Sequence, residues 1–127
     1  NAALRSIVAQ RLVRRLCSCS SPHPNPGDLM SRYRLESIAQ RYSVDVPDLR
    51  EAVGCEECSH TGYRGRLAIV EYLRCDEAVA AMDKSEHFIA EAREHMSAMG
   101  WRSLLEDGLL KALSGETTVE EVFRAAG

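Results

Sequence analysis

The sequence has no long hydrophobic run. No stretch approaches the roughly 18 consecutive apolar residues that a membrane-spanning helix needs, and no secretory signal peptide is recognisable, so we expect a soluble segment. Aromatic residues are scarce at 6%, although 45% of the residues are hydrophobic. These proportions predict a modest, mainly aliphatic core in a chain whose 127 residues make one domain or two small ones.

The sequence also lacks the short motifs that mark common enzyme classes. It has no G-x-x-x-x-G-K-[ST] phosphate loop, no G-x-S-x-G nucleophile turn and no H-E-x-x-H metal motif. We therefore predict that the chain by itself has no catalytic residues and no enzyme activity. It begins with Asn1 rather than methionine, and we expect it to be a piece of a longer protein.

Five cysteines are present, and this odd number argues against a closed disulfide framework. A reduced, metal-binding chain fits better. Four of them form two close pairs, Cys17 with Cys19 and Cys55 with Cys58. The second pair has the C-x-x-C spacing of a zinc-binding turn, and glycines follow it closely. Two thiolate pairs separated by a loop predict one tetrahedral structural zinc site.

The first cysteine pair is C-x-C, one residue shorter than the usual spacing, and this short bite leaves three outcomes open. All four cysteines bind the metal, or His23 or His60 replaces Cys19, or the site is metal-free and its loop is held by hydrophobic contacts. The fifth cysteine, Cys75, ends an apolar stretch and is expected to be a small buried hydrophobic residue.

Hydrophobic periodicity predicts a mainly α-helical fold with one small β-hairpin, an α+β class in which a zinc-binding loop subdomain precedes a helical bundle. In the first half, the predicted helices cover Ala3–Leu16, Met30–Tyr42 and Pro47–Val53. The one convincing strand covers Arg66–Arg74, and the glycine turn before it favours a hairpin partner around His60–Tyr63.

Everything after Asp76 is predicted to be helical. The last two helices are an apolar segment around 104–113, closed by Gly115, and a segment opened by a capping box from Thr118 to Glu121. The earlier helices are marked by Ala78, Val79 and Met82, and by Phe88, Ile89, Ala92, Met96 and Met99. His87 and His95 are expected to be solvated rather than metal-binding.

Charge is unevenly spread along the chain. Net charge is −3, but residues 1–66 carry 10 Lys/Arg against 7 Asp/Glu, whereas residues 67–127 carry 6 against 12. The asymmetry indicates two units with different neighbours. It is not the dense basic stripe of a nucleic-acid binder, so we predict no nucleic-acid partner.

Three stretches together resemble one protein family. They are Ala9–Cys17 (AQRLVRRLC), Gly54–Glu71 with its GCEEC and TGYRGR motifs, and the segment after Met99-Gly100 that contains LLEDGLLK and GETTVEEV. Their order and spacing resemble the C-terminal end of the secretion ATPases, which include the type II secretion motor (general secretion pathway protein E) and the type IV pilus assembly ATPase.

The resemblance implies a division of the chain. Residues 1–75 would hold the last helix of a motor domain and a four-cysteine zinc subdomain with a short strand, and residues 76–127 a C-terminal helical subdomain. A preceding RecA-like domain would carry the phosphate loop and bind ATP and magnesium. The family pattern places zinc ligands at Cys17, Cys55 and Cys58, whereas its second ligand falls at Ser20, beside Cys19.

The function that the resemblance implies is mechanical. The family forms cytoplasmic homo-hexamers, peripheral at the bacterial inner membrane, and docks on a platform protein there. This piece would be non-catalytic and would help to couple ATP-driven motor movement to that platform in type II protein secretion, which the cysteine insertion favours over pilus retraction.

Two other classes remain as alternatives. The chain could be a free-standing zinc-binding adapter or a nucleic-acid-binding module, although its acidic second half argues against nucleic acid. A thiol enzyme using Cys55 and Cys58 would need a thioredoxin-like β-α-β frame, which the sequence does not predict.

Overall fold

The described part of the chain folds into short helices around a long two-stranded ribbon. The computed structural model describes residues 6–74 and 102–127. Its elements in chain order are β1 (Ser6–Leu16), β2 (Ser21–Pro22), α1 (Pro26–Arg32), α2 (Leu35–Arg41), β3 (Arg50–Glu51), β4 (Tyr63–Arg74), α3 (Leu104–Leu113) and α4 (Val119–Ala126). This combination of helices and small antiparallel sheets confirms the predicted α+β class.

Several predictions concern residues 75–101 and lie outside the described residues. They are the two helices marked between Ala78 and Met99, the solvated His87 and His95, and the buried Cys75. The division of the chain at residue 75 also stays a prediction. Among the helices that are described, none combines the length and the hydrophobicity that a bilayer-crossing helix requires.

The ribbon consists of β1 and β4, which pair antiparallel. The register runs from Ser6 opposite Arg74 to Arg14 opposite Arg66, and after an irregularity Leu16 lies opposite Tyr63. The predicted strand at Arg66–Arg74 is therefore confirmed, and it begins earlier, at Tyr63. The hairpin partner predicted around His60–Tyr63 is wrong, because β1, far earlier in the sequence, pairs with this strand.

The helix predicted over Ala3–Leu16 is wrong, since Ser6–Leu16 is a strand. Its apolar residues are spaced so that they fit either a helical stripe or a strand, and its glutamine and arginines favour a helix. Pairing with β4 decides the outcome, because β4 supplies backbone hydrogen-bond partners along the length of β1. Long-range pairing of this kind overrides local propensity.

The other helices predicted in the first half are also changed. The single helix expected over Met30–Tyr42 is split, because Arg34 adopts a left-handed conformation with φ 54° between α1 and α2. No helix forms over Pro47–Val53. Instead, β3 pairs with β2, and the Asp48 N–H donates to the Leu113 carbonyl at 2.7 Å.

One face of the ribbon packs on the helices. Val13, Leu67 and Ile69 are buried there against residues of α3 and α4. Gly108 of α3 permits the close approach, because a Cβ at this position would lie 2.6 Å from Val122 and 3.2 Å from Ile69. A larger cluster joins α1, α2, α3 and α4; its buried members are Leu29, Leu35, Ala39, Leu49, Leu109, Ala112, Leu113, Val119 and Val122.

Two buried carboxylates join β4 to α3 reciprocally. Asp107 of α3 accepts a hydrogen bond from the Val70 N–H at 2.8 Å, and Glu71 of β4 accepts one from the Leu104 N–H at 2.9 Å. Arg102 and Lys111 neutralise Asp107, at 2.9 and 3.1 Å. Each element thus satisfies a backbone donor that the other leaves unpaired.

The beginnings of the two C-terminal helices differ. The predicted helix at 104–113 is confirmed, and a full capping box opens it, formed by Ser103 and Glu106. The box predicted at α4 is half present: Thr118 Oγ1 accepts from the Glu121 N–H at 3.1 Å. The Glu121 carboxylate turns to β1 instead of the cap, because two arginines and a strand N–H compete for it.

Candidate metal centre

Four cysteine sulfurs meet in one cluster. The Sγ atoms of Cys17, Cys19, Cys55 and Cys58 all lie within 4.8 Å of one another, and among the described residues these four form the group that could hold a metal ion. The closest separations are 3.7 Å between Cys17 and Cys55, 3.8 Å between Cys55 and Cys58 and 3.9 Å between Cys19 and Cys58.

These separations fit a tetrahedral metal. With a zinc–sulfur bond of about 2.3 Å, the edge of a regular tetrahedron is about 3.8 Å long. The three shortest sulfur–sulfur distances lie within 0.1 Å of that edge. All four cysteines are free thiols, so each can supply one sulfur. The donor set is the one that closed structural zinc sites use.

The first cysteine pair is positioned by the end of β1 and a tight turn. The Cys17 N–H donates to the Gly62 carbonyl at 3.0 Å. This bond holds the end of β1 against the turn that carries the second cysteine pair. The Ser20 N–H donates to the Cys17 carbonyl at 3.0 Å and closes a turn over residues 17–20. Because Cys19 lies inside this turn, its sulfur reaches Cys58 despite the short C-x-C spacing.

The second pair lies in a compact knuckle over residues 55–62. The His60 N–H donates to the Cys55 carbonyl at 2.8 Å, and the Thr61 hydroxyl donates to the Cys58 carbonyl at 2.7 Å. Gly62 then has φ 86°, and a Cβ there would lie 2.5 Å from the Cβ of Ala52. A side chain at this position would therefore be excluded both by backbone conformation and by lack of space.

Backbone N–H groups favour the thiolate form of Cys58. Its Sγ accepts from the Cys55 N–H and the Gly62 N–H, both at 3.2 Å. Burial raises the pKa of the Cys58 thiol, but these hydrogen bonds and the neighbouring sulfurs outweigh burial and lower the pKa to about 6.

Cys19 shows the opposite behaviour. A backbone hydrogen bond with Gly54 lowers the pKa of its thiol, but burial and the three neighbouring sulfurs together raise the pKa to about 11. Four sulfurs in contact cannot all be ionised unless a cation compensates their charge. A divalent metal among them would supply that compensation.

The structure brings Cys19, and neither histidine, to the other three cysteines. His60 is exposed with φ 63°, and His23 uses its Nδ1 to accept from the Asn25 N–H at 3.0 Å. Ser20, where the family pattern has a ligand, is also engaged elsewhere, because its hydroxyl accepts from Arg50 Nε at 2.8 Å. Of the three outcomes left open by the sequence, the geometry favours four thiolates.

A buried ion cluster next to the cysteines was not expected from the sequence. The Glu121 side chain, 1% exposed, accepts from the Arg14 N–H at 2.9 Å and from the Arg14 guanidinium. Arg124 also donates to both carboxylate oxygens. Burial raises the pKa of Glu121, but these donors outweigh burial and lower the pKa to about 2.

Tyr63 connects this ion cluster to the knuckle. The Arg14 guanidinium lies 4.2 Å from the centre of the Tyr63 ring, a cation–π arrangement. The Tyr63 hydroxyl is 2.9 Å from Thr118 Oγ1 at the start of α4. The nearest sequence signal for this cluster was the Thr118–Glu121 pattern, which indicated a helix cap and not a contact with β1.

Comparison with known proteins assigns the family. Residues 1–124 match the model of the family described as type II/IV secretion system protein. The chain is 38% identical to the type IV pilus assembly ATPase PilB of Thermus thermophilus over 123 residues, 97% of this chain. It is 39% identical to type II secretion system protein E of Aeromonas hydrophila over 129 residues, and 36% identical to type II secretion system ATPase E of Vibrio cholerae over 125, each covering 98% of this chain.

The chain spans only a small part of these relatives. The matched segment covers 14% of the Thermus protein and 24% of each of the other two. The family match nevertheless extends over almost every residue of the chain. The resemblance carried by the AQRLVRRLC, TGYRGR and LLEDGLLK segments is therefore confirmed, and the chain belongs to the family of type II/IV secretion system proteins.

Proposed function

We propose that this chain is a structural, non-catalytic part of a secretion ATPase in which Cys17, Cys19, Cys55 and Cys58 hold one zinc ion. The observation that carries the proposal is the cluster of four sulfurs, with separations of 3.7, 3.8 and 3.9 Å that match the edges of a zinc–thiolate tetrahedron. A bound zinc ion would supply a four-way cross-link between two segments that are distant in sequence.

The protein's own residues determine what such a cross-link joins. Cys17 directly follows β1, and the knuckle at 55–62 directly precedes β4, so the site closes one end of the β1–β4 ribbon. The Cys17 N–H already bonds to Gly62 across this junction. The cysteines would therefore stiffen an existing contact rather than create a new one.

The closed end of the ribbon also contacts the C-terminal helices. Besides the Glu121 and Tyr63 contacts, the Leu16 N–H donates to the Glu116 carbonyl at 2.9 Å, and the Thr117 hydroxyl donates to the Arg14 carbonyl at 2.8 Å. Displacement of β1 would thus be transmitted directly to the segment that opens α4. These contacts support a role as a rigid connector.

The family supplies the context of this role. The relatives are named as ATPases of type II secretion and of type IV pilus assembly. We place ATP and magnesium binding in a motor domain outside this chain, in a homo-hexamer on the cytoplasmic side of the bacterial inner membrane. The connector would pass motor movement to the platform protein of a type II secretion system. Family membership favours this role over a free-standing zinc adapter or a nucleic-acid-binding module.

The metal is tested by elemental analysis of protein purified without chelator. We expect one zinc per chain in the unmodified protein and in Ser18→Ala, a control at an exposed position between the first two cysteines. We expect none in Cys19→Ser or Cys55→Ser. Zinc retained by Cys19→Ser would contradict the four-thiolate site, and no zinc in the unmodified protein would overturn the metal proposal.

The mechanical role needs a separate test in the full-length ATPase that we propose contains this segment. Cys55→Ser should reduce secretion of exported protein while leaving basal ATP hydrolysis largely intact, because the cysteines would transmit movement without taking part in hydrolysis. Unchanged secretion by a zinc-free variant would contradict the connector role even if the metal site is real.

A further inference from the structure

The face of the β1–β4 ribbon that does not pack on α3 and α4 is exposed to solvent. In an antiparallel pair, residues directly opposite each other point to the same side. The register therefore places Gln10, Leu12 and Arg14 on one face with Val70, Ala68 and Arg66. Leu12 is 50% exposed and Val70 37% exposed, so this face carries apolar surface that nothing in the described chain covers.

Three arginines line a cavity that Leu12 of this face also lines. The cavity has a volume of about 500 Å³ and is lined by Leu12, Val13, Arg14, Arg66 and Arg124. Two strands and one helix contribute to it, so the arginines are brought together by the fold and not by sequence proximity. Arg14 and Arg66 come from the exposed face of the ribbon, and Arg124 comes from α4.

The charge of this cavity is incompletely balanced. Glu121 is the carboxylate that pairs with Arg14 and Arg124, and its side chain is 1% exposed. Arg66 forms no ion pair with any described residue. Arg14 and Arg124 thus share one buried carboxylate, and Arg66 adds a third positive charge that no described carboxylate pairs.

The available donors point to a carboxylate ligand. Arg14 uses Nε and Nη2 for Glu121 and Arg124 does the same, which leaves Nη1 of each free of these bonds. The Arg66 guanidinium makes no hydrogen bond to any side chain among residues 6–74 and 102–127. Guanidinium groups bind carboxylates through paired hydrogen bonds, and Arg124 makes such a pair with the two oxygens of Glu121.

We propose that this face is a docking site for an acidic peptide segment of a partner protein, with carboxylates on Arg66, Arg14 and Arg124 and an apolar side chain on Leu12. Exposed Leu12 beside the arginines favours a peptide over free phosphate, because phosphate would make no use of the apolar surface. The inference goes beyond the proposed function, since it requires neither bound zinc nor ATP.

Fluorescence anisotropy with a labelled synthetic peptide tests the site. The probe alternates Glu or Asp with Leu, and a matched peptide replaces each acid by Gln or Asn. We expect the acidic peptide to bind, more weakly as salt increases, and the neutral peptide to bind poorly. Arg66→Gln and Leu12→Ser should each weaken binding, Arg66→Gln by about tenfold, the effect of losing one good charged contact.

Arg64→Gln is the matched control. Arg64 is an exposed arginine two positions away on the same strand, but it pairs with Glu57 at 3.1 Å and does not line the cavity. Its variant should bind the acidic peptide as the unmodified protein does. Equal weakening by Arg64→Gln and Arg66→Gln would overturn the proposal, because it would indicate nonspecific attraction.

Two further outcomes would also overturn the docking site. One is an absence of peptide binding by well-folded protein. The other is full competition by inorganic phosphate with no effect of Leu12→Ser, which would indicate a simple anion site. Zinc content measured on the same Arg66→Gln sample should be unchanged, so failure of this inference is distinguishable from failure of the metal proposal.

Discussion

The end of β1 is joined to the rest of the molecule in two neighbouring places by different chemistry. At the cysteine cluster, four thiols from two turns converge, and the metal that we propose there would compensate the charge of their thiolate forms. At the Glu121 cluster, a buried carboxylate is neutralised by Arg14 and Arg124 of the chain itself. Under our proposal the first contact would depend on an external ion, whereas the second is complete within the described residues.

This difference has a consequence for stability. The Glu121 contacts join β1 to α4 and persist whatever the metal supply, so the ribbon should remain docked on the helices when metal is absent. The cysteine turns have backbone hydrogen bonds of their own, and the metal that we propose there would add a cross-link between them. The molecule would therefore combine a permanent contact with a metal-dependent one within a few residues of the end of β1.

Metal removal should produce the largest effect. A chelator should accelerate amide hydrogen exchange in the turns at 17–20 and 54–62, since structural zinc supplies on the order of 10 kcal/mol in small zinc peptides. Exchange in α3 should change little, because its core contacts contain no cysteine. If the chelator accelerated amide exchange equally in the turns and in α3, the packing of the helices would depend on the metal, and the cysteine cluster and the Glu121 cluster would not be independent.

Glu121→Gln should have the next largest effect. The substitution removes the buried carboxylate from Arg14 and Arg124, which are 49% and 58% exposed, so we expect a loss of about 2 kcal/mol, the size of a hydrogen bond to a charged group. Urea unfolding with chelator present would measure the loss apart from any metal contribution. The control is Glu120→Gln at the exposed neighbouring position, which should change the free energy of unfolding by less than about 0.5 kcal/mol.

Acidification should weaken the Glu121 contact without any substitution. Because the pKa of Glu121 is lowered to about 2 in the folded protein, its stabilisation is fully present above the unfolded pKa, near 4.5. It should be lost as pH falls from there through about 2. The expected loss is on the order of 2 kcal/mol, measured as the difference in urea midpoints between the unmodified protein and Glu121→Gln. If the difference in urea midpoints between the two proteins stays constant as the pH falls, the lowered pKa of Glu121 in the folded protein would be contradicted.

Tyr63→Phe should have the smallest effect. It removes the hydroxyl that lies 2.9 Å from Thr118 Oγ1 but keeps the ring beneath Arg14. We expect a loss of about 1 kcal/mol, the usual net value of one hydrogen bond, with zinc content unchanged. Loss of zinc in this variant would show that the knuckle and the Glu121 cluster depend on each other.

The sequence predicted the features that rest on local spacing. The cysteine pairs, the strand at 66–74 and the helix at 104–113 each depend on residues close together in the chain. Neither the strand character of Ser6–Leu16 nor the role of Glu121 could be predicted in this way. Both depend on partners far away in sequence, since β1 needs β4 and Glu121 needs Arg14.

The cysteine site also combines a part that the sequence predicted with a part that required the fold. The four residues were identifiable from the sequence, but the C-x-C spacing left open whether Cys19 takes part. The preference for Cys19 rests on the turn at 17–20 and on the Ser20 hydroxyl, which accepts a hydrogen bond from Arg50 instead of facing the cluster as a ligand. The spacing of neighbouring cysteines was enough to identify the candidate ligands, whereas a choice among these candidates required the fold.

The reciprocal carboxylates between β4 and α3 have a further consequence for solubility. A strand edge with unpaired N–H groups is a template for another strand, and such edges promote aggregation. Asp107 accepts the Val70 N–H on the side of β4 that faces away from β1, and its charge stands where an incoming strand would have to place a carbonyl. Asp107 therefore blocks strand addition at this position of the β4 edge while it attaches β4 to α3.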